Sequence, residues 1–233
     1  MKMKTKILAA ALFTACVTGS FAQDKNSVTF TASDAAAKSD ADVVAKASEW
    51  TTALNLNDAP KEERVKTAIA THLKAVRDWH NDHPASTVPA GINPATGNRL
   101  SEMDRDIIAN SAMPKSVHDS LMNVLKRELT PQQVETVLDK YTIGKVAFTL
   151  QGYKAIVPDL KPEEEAQILV YLKQARERAI DFKNMKEISA IFEIYKTKCE
   201  QYLNSNGRNW RQLYKVYTDA VKARKAAEQK TNN

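Results

Sequence analysis

Residues 58–82 read DAPKEERVKTAIATHLKAVRDWHND, and they carry the clearest periodicity in the chain. Val65, Ile69, His72, Leu73, Val76, Trp79 and His80 recur at steps of three and four. A repeat near 3.6 residues puts them on one helical face over about Asp58 to Asp82. The same period returns downstream. Val117, Leu121, Val124 and Leu125 mark the later half of a helical region over about 101–128, with Pro114 as its kink or break. Thr130-Pro131-Gln132-Gln133 opens another helix, with Thr130 as cap, Pro131 at the first helical place and Gln133 closing a capping box. From Pro162, a further helix is lined by Ile168, Leu172, Ala175, Ala179 and Phe182. Ile188, Ile191, Tyr195, Cys199 and Tyr202 line the next, which ends at Asn204-Ser-Asn-Gly207. The last buries Trp210, Leu213, Tyr214, Tyr217 and Val221. Val146, Phe148 and Leu150 alternate, so 145–150 is read as the one short extended piece. The expected class is all-α: a single multi-helix bundle over 42–226.

Between the first strong helix and the second, Pro84, Pro89, Gly91, Pro94 and Gly97 predict a long loop through Leu100. A stretch that long without regular structure is uncommon in a compact domain and often carries function. Residues 227–233 are read as a disordered tail.

The start of the chain has a different character. Lys2, Lys4 and Lys6 precede an apolar run from Ile7 to Val17, and Ser20 and Ala22 stand at the small-residue places before Gln23. That order predicts a signal peptide over 1–22 and an exported protein, in the periplasm or at the cell surface. Lipidation at Cys16 is the competing reading, disfavoured because Phe13 stands where a lipoprotein signal usually has Leu. Residues 23–41 are polar, Ala-rich and poor in large apolar groups, and are read as a flexible spacer. Removing the three lysines lowers the net charge from +6 to +3. The basic balance is therefore partly a targeting signal and does not mark a nucleic-acid partner. No later run is apolar for long enough to span a bilayer. Cys199 alone would remain, so stability must come from burial and not from a disulfide.

The densest polar-aromatic cluster is Arg77-Asp78-Trp79-His80-Asn81. A sugar site needs a flat aromatic face for the ring's C–H edge, with amides, carboxylates or Arg to hold hydroxyls, and these five residues supply both at a helix end. Trp79 also lies on the apolar stripe, where it would simply be core. Tyr153 after Gly152, and Trp210 beside Asn209, are further candidate ligand residues, each with a core-packing alternative. His80 and His83 have metal-compatible spacing, but further ligands are missing in any recognisable order, so neither metal nor cofactor is expected. Glu163, Glu164 and Glu165 fall in a first helical turn, where they favour the helix dipole. Phosphate loops, dinucleotide fingerprints, zinc-protease strings and nucleophile elbows are lacking. No catalytic residues are assigned.

Three stretches carry a family resemblance: Leu56-Asn-Asp58 with Thr71-His-Leu-Lys-Ala-Val-Arg-Asp-Trp-His80; Leu129-Thr-Pro-Gln-Gln-Val134; and Gln151-Gly-Tyr153 with Val157-Pro-Asp-Leu160. Over about 42–220 the chain resembles the secreted Bacteroidetes family catalogued as domain of unknown function 3826. Lys161 departs from the Thr usual after that leucine and weakens one cap. The resemblance implies a helical exported protein labelled sugar-binding, found with polysaccharide-degradation genes, and without established catalytic residues. The expectation is a non-enzymatic carbohydrate-binding accessory in polysaccharide utilisation. The alternatives are a periplasmic helical chaperone-like protein and a carbohydrate-active enzyme. The residues do not specify the sugar or the oligomeric state.

Overall fold

A computed structural model describes residues 32–94 and 96–231; the expected signal peptide over 1–22, with Cys16, and residues 23–31 lie outside the described residues. The described residues form nine α-helices: α1 (Ala32–Thr52), α2 (Ala59–Asp82), α3 (Glu102–Ser111), α4 (Lys115–Glu128), α5 (Pro131–Thr142), α6 (Lys145–Ile156), α7 (Pro162–Ala179), α8 (Met185–Ser205) and α9 (Trp210–Thr231). They contain no β-strand beyond a single Ile92–Arg99 bridge. The protein is all-α.

Local chemistry sets most of the helix starts. Asp58 accepts a hydrogen bond from the Lys61 amide, with Pro60 in the first turn of α2. Thr130 and Gln133 make a reciprocal capping box at α5, as Ser101 and Asp104 do at α3. Lys161 has no side-chain acceptor, so α7 keeps half of that device, the Lys161 amide donating to Glu164 Oε2 at 2.9 Å.

The helices bury two adjoining cores. In the first, α1, α2, α4 and α5 enclose Val65, Ile69, Leu121, Leu125 and Val137, with Trp50 set edge-on to Tyr141 at 4.8 Å between ring centres. In the second, the α7–α8 hairpin and α6 enclose Tyr153, Ile168, Leu172, Ile191, Phe192 and Cys199. Two or more turns of the 3.6-residue stripe from each helix fill these cores. This is why the stripes were readable before the packing was known.

Asp181 ties the two cores together from the link between α7 and α8. Its carboxylate is buried and lies 3.1 Å from His72 Nε2 of α2. It also lies 3.1 and 3.0 Å from His118 Nδ1 of α4. A buried carboxylate without partners would cost several kcal/mol, on the order of the penalty for any uncompensated charge. The two imidazoles offset that cost and thereby fix where the hairpin's turn sits on α2 and α4.

Three expectations are corrected. Residues 145–150 are the start of α6 and not an extended piece. Ile143 and Gly144 both take left-handed backbone angles (φ 52° and 65°), which end α5 and turn the chain directly into a new helix. Val146, Leu150 and Tyr153 then share the core side at helical spacing, while Phe148, on the opposite side, is 78% exposed. The alternation was half of a helical stripe. Helix α1 begins ten residues before the expected onset of order. Its Asp40 pairs with Lys74 and Arg77 of α2 at 2.5 and 2.7 Å, so an Ala-rich segment gains tertiary anchors that composition does not reveal. Helix α9 continues through the expected tail to Thr231, carrying i,i+4 charge pairs such as Lys215–Asp219. The long loop folds back on itself through a 3-10 turn at Ala85–Thr87. The Leu100 amide also bonds to Gly91 carbonyl at 2.9 Å.

Ile143 is a β-branched residue in the left-handed region with 72% of its surface in solvent, so its strain is not compensated by burial. Ile143→Gly should therefore raise stability by about 1 kcal/mol. The check is urea denaturation, in which the midpoint moves up with an unchanged slope; a lower midpoint would show that the side chain contributes packing.

Candidate functional site

The five residues flagged at the end of α2 are engaged in holding helices. Arg77 donates to Ser39 Oγ at 2.9 Å, pairs with Asp40, and is steadied by Asp78 at 2.8 Å. Trp79 gives its indole N–H to the Ala109 carbonyl at 3.1 Å and stacks its face on His83, 3.7 Å between centres and 14° between planes. His80 Nδ1 lies 3.3 Å from both Asn110 Nδ2 and Glu187 Oε1, joining α2 to α3 and α8. Asn81 is exposed and accepts from Lys183 Nζ at 2.6 Å. Trp79 lines neither of the two large cavities described next.

The fold does bring Tyr153 and Trp210 together. Their rings lie 5.1 Å apart, and Trp210 is followed at 6.1 Å and 30° by Tyr214. With Phe148 and Tyr217 they line a groove of about 690 Å³ between α6, α8 and α9. Tyr153 forms its floor: the ring is buried and its hydroxyl donates to the Lys196 carbonyl at 3.2 Å. Phe148 and Tyr214 stand open at the walls. Polar groups come from Gln151, Glu193, Lys196 and Glu200. Lys196 is tied to Glu193 at 2.9 Å, whereas Glu200 has no ion pair among the described residues, and burial raises its carboxyl above the usual range. A Cβ at Gly152 would meet nothing within 4 Å, so the backbone there borders open space in the groove. Cys199 lies fully buried under Tyr153, its thiol pushed up to about 11 by burial, and it acts as core.

Arg208 holds the aromatic wall in place. It grips Asp159 through two 2.8 Å contacts and buried Glu164 at 3.0 and 2.7 Å, clamping the α8–α9 turn onto the α6–α7 link. Glu164 was expected only to favour a helix dipole. Its burial at the foot of α9 makes it part of the support that positions Trp210.

A second cavity of about 660 Å³ opens over His118, between α4, α7 and the end of α3. Asn110, Asn123, Gln174, Glu177 and Arg178 line it, with Asp181 at its base. Hydrogen bonding to Asp181 raises the pKa of His118 above 6.5; burial opposes this and loses. Burial pushes the Asp181 carboxyl up, but the bonds from His118 and His72 outweigh it and the net shift is downward. Sequence reasoning missed this cluster because His72, His118 and Asp181 lie on separate segments with no spacing signal. It missed Phe148 because the residue was assigned to a strand. A clearer signal existed for Tyr214 and Tyr217, whose positions follow Trp210 by one and two helical turns.

Fold and site together define an all-helical protein with an open aromatic groove at one end and a polar, histidine-floored cavity elsewhere. The chain belongs to the family described as "Protein of unknown function (DUF3826)", whose model matches residues 40–223. A comparison with curated proteins finds no match. No described helix is long and apolar enough to cross a membrane.

Because the folded pKa of His118 is raised, the stability its charge contributes is fully present below the unfolded value of 6.5. It is lost as pH rises through the folded value. Wild type should therefore exceed His118→Gln by more at about pH 6 than at about pH 9 in paired denaturation curves. An equal difference at both pH values would mean that the imidazole contributes shape and not charge.

Proposed function

We propose that this protein is a non-enzymatic carbohydrate-binding accessory of polysaccharide utilisation, acting outside the cytoplasm, with its sugar site in the groove between α6, α8 and α9. The observation that carries this reading is the stacking of Trp210 and Tyr214, 30° between planes, over a floor of Tyr153, with Phe148 78% exposed nearby. Large aromatic faces left in solvent are costly unless something covers them, and the apolar C–H face of a pyranose is a fitting cover. Gln151, Glu193, Lys196 and Glu200 supply donors and acceptors for the hydroxyls at the rim. A volume of about 690 Å³ suits one or two sugar rings. Export rests on the residues 1–22 pattern. The α2-end residues Arg77, Asp78, Trp79, His80 and Asn81 serve this reading as the frame that holds the bundle.

The exposed apolar side of α9 supports a second reading, a chaperone-like surface. Val216 is 63% exposed, and it shares a cleft with Leu213, Tyr217 and Ile156. Suppression of client aggregation that no sugar inhibits would favour it. Release of products from oligosaccharides by the purified protein would favour an enzyme instead.

The test is a glycan array followed by calorimetry on the wild type and on Gly152→Leu, Trp210→Ala and Tyr214→Ala. Gly152→Leu should fill the groove and abolish binding with helical content unchanged, because the new side chain enters open space. Each aromatic truncation should weaken binding about tenfold, the loss of one stacking partner. Wild-type affinity in Gly152→Leu would remove the groove from consideration, whatever the other two variants do to folding.

A further inference from the structure

We propose that the cavity over His118 is a separate ligand site, for a small hydroxylated anion, a sugar acid or a sugar phosphate, which binds together with a proton on His118. This does not depend on the groove reading, since the two cavities share no lining residue.

Geometry fixes which nitrogen of His118 meets the ligand. Asp181 takes Nδ1 with both oxygens, at 3.1 and 3.0 Å, so Nδ1–H is the donor inward and Nε2 is left to face outward. It pairs with Glu177, whose Oε1 is 3.7 Å away and whose side chain is 49% exposed, with Asp119 farther off. His72 cannot share this role. Its Nε2 meets Asp181 at 3.1 Å, while its Nδ1 is buried without a partner. His72 is buried and does not line the cavity. Of the pair, His118 is the imidazole that can gain a proton facing the cavity.

The charges around the cavity give the ligand its sign. From α4 come Lys115, Asp119 and Lys126; from α7, Glu177 and Arg178; from the α7–α8 link, Asp181; α8 adds the Tyr195 phenol. The three cationic and three carboxylate side chains balance while His118 is neutral, and a proton on His118 leaves one net positive charge. These charges are not equally available. Lys115 is spent on Asp119, and Asp181 on the two imidazoles. Arg178 stands 4.0 Å from Asp181 and over the Phe182 ring, with 44% of its side chain exposed, and exposed Lys126 has no ion pair among the described residues. An anion placed between Lys126, Arg178 and Nε2–H would displace only Glu177, a surface side chain free to swing into water.

The remaining lining gives the ligand its body. Asn110, Asn123 and Gln174 each offer an amide, and Ser111 and Tyr195 offer hydroxyls. Amides and hydroxyls both donate and accept, which matches a chain or ring of sugar hydroxyls. Asn110 is buried and braced, its Nδ2 donating to the Asp106 carbonyl at 2.9 Å with His80 behind it. Its position is therefore set before a ligand arrives.

The experiment follows the His118 imidazole by NMR across pH in the full chain, with D-glucuronate, D-glucose 6-phosphate or D-glucose added. The expected result is that at least one anion raises the His118 midpoint, while D-glucose leaves it unmoved. By linkage, affinity for that anion should fall about tenfold per pH unit above the midpoint of the free protein. Response to glucuronate alone assigns a sugar acid, and response to the phosphate alone assigns a sugar phosphate. Lys126→Gln, a change at an exposed residue, should weaken binding about tenfold. His118→Gln should remove the pH dependence, and Gly152→Leu should change nothing here. The proposal is overturned if neither anion moves the midpoint at about 100 times the protein concentration, if glucose moves it equally, or if Lys126→Gln binds as wild type.

Discussion

A carboxylate placed inside a helical protein must be given partners or be expelled, and Asp181 meets that condition with imidazoles from two different helices. His72 reaches it from α2 and His118 from α4, at 3.1 and 3.0 Å at the closest. Because Asp181 sits between α7 and α8, the contact sets the position of the best-packed hairpin of the molecule against the first core. Hydrophobic burial has no direction and would tolerate a slide of the hairpin by part of a turn. Three polar contacts with fixed geometry would not. The flanking residues agree, with Ile180 buried in the first core and Phe182 in the second. The same interaction orients His118 toward the polar cavity, so architecture and local chemistry share one origin.

Away from that centre, clefts form where helices part. Helix α9 packs only its first half, against α6 and α8, and its aromatic start therefore lies at an edge. There the Arg208 clamp on Asp159 and Glu164 does for α9 what Asp181 does for the hairpin. It fixes an element whose apolar contacts are too few to fix it alone. The aromatic groove and the polar cavity consequently differ in kind. The first is a wall of rings held by an ion-paired clamp at one end, and the second is a set of amides and charges around a buried acid–imidazole pair.

Helical periodicity made α2, α7 and α8 legible, and capping chemistry at Thr130 and Gln133 marked the start of α5. The failures are equally physical. Val146, Phe148 and Leu150 alternate whether or not the backbone is extended, and only the left-handed pair Ile143–Gly144 turns them into a helix. Asp40 and Ser39 look like spacer residues until Lys74 and Arg77 lie opposite them. Of the residues picked for ligand contact, Tyr153 and Trp210 line the aromatic groove. The run from Arg77 to Asn81 has the right chemical types for a ligand, but Arg77, Trp79 and His80 are taken up by neighbouring helices, Asp78 by Arg77 and Asn81 by Lys183.

What the amino-acid order determined by itself is therefore the list of helices and the side of each that is apolar, because both depend on neighbours three or four residues away along one chain. Tertiary structure alone decided which polar groups are used up inside and which remain free at a surface. Arg77 and Trp79 lost their freedom to Asp40, Ala109 and His83, while Trp210 kept an open face. That outcome depends on meetings between separate elements, from Trp79 with Ala109, 30 positions apart, to His72 with Asp181, 109 apart, which no local pattern encodes.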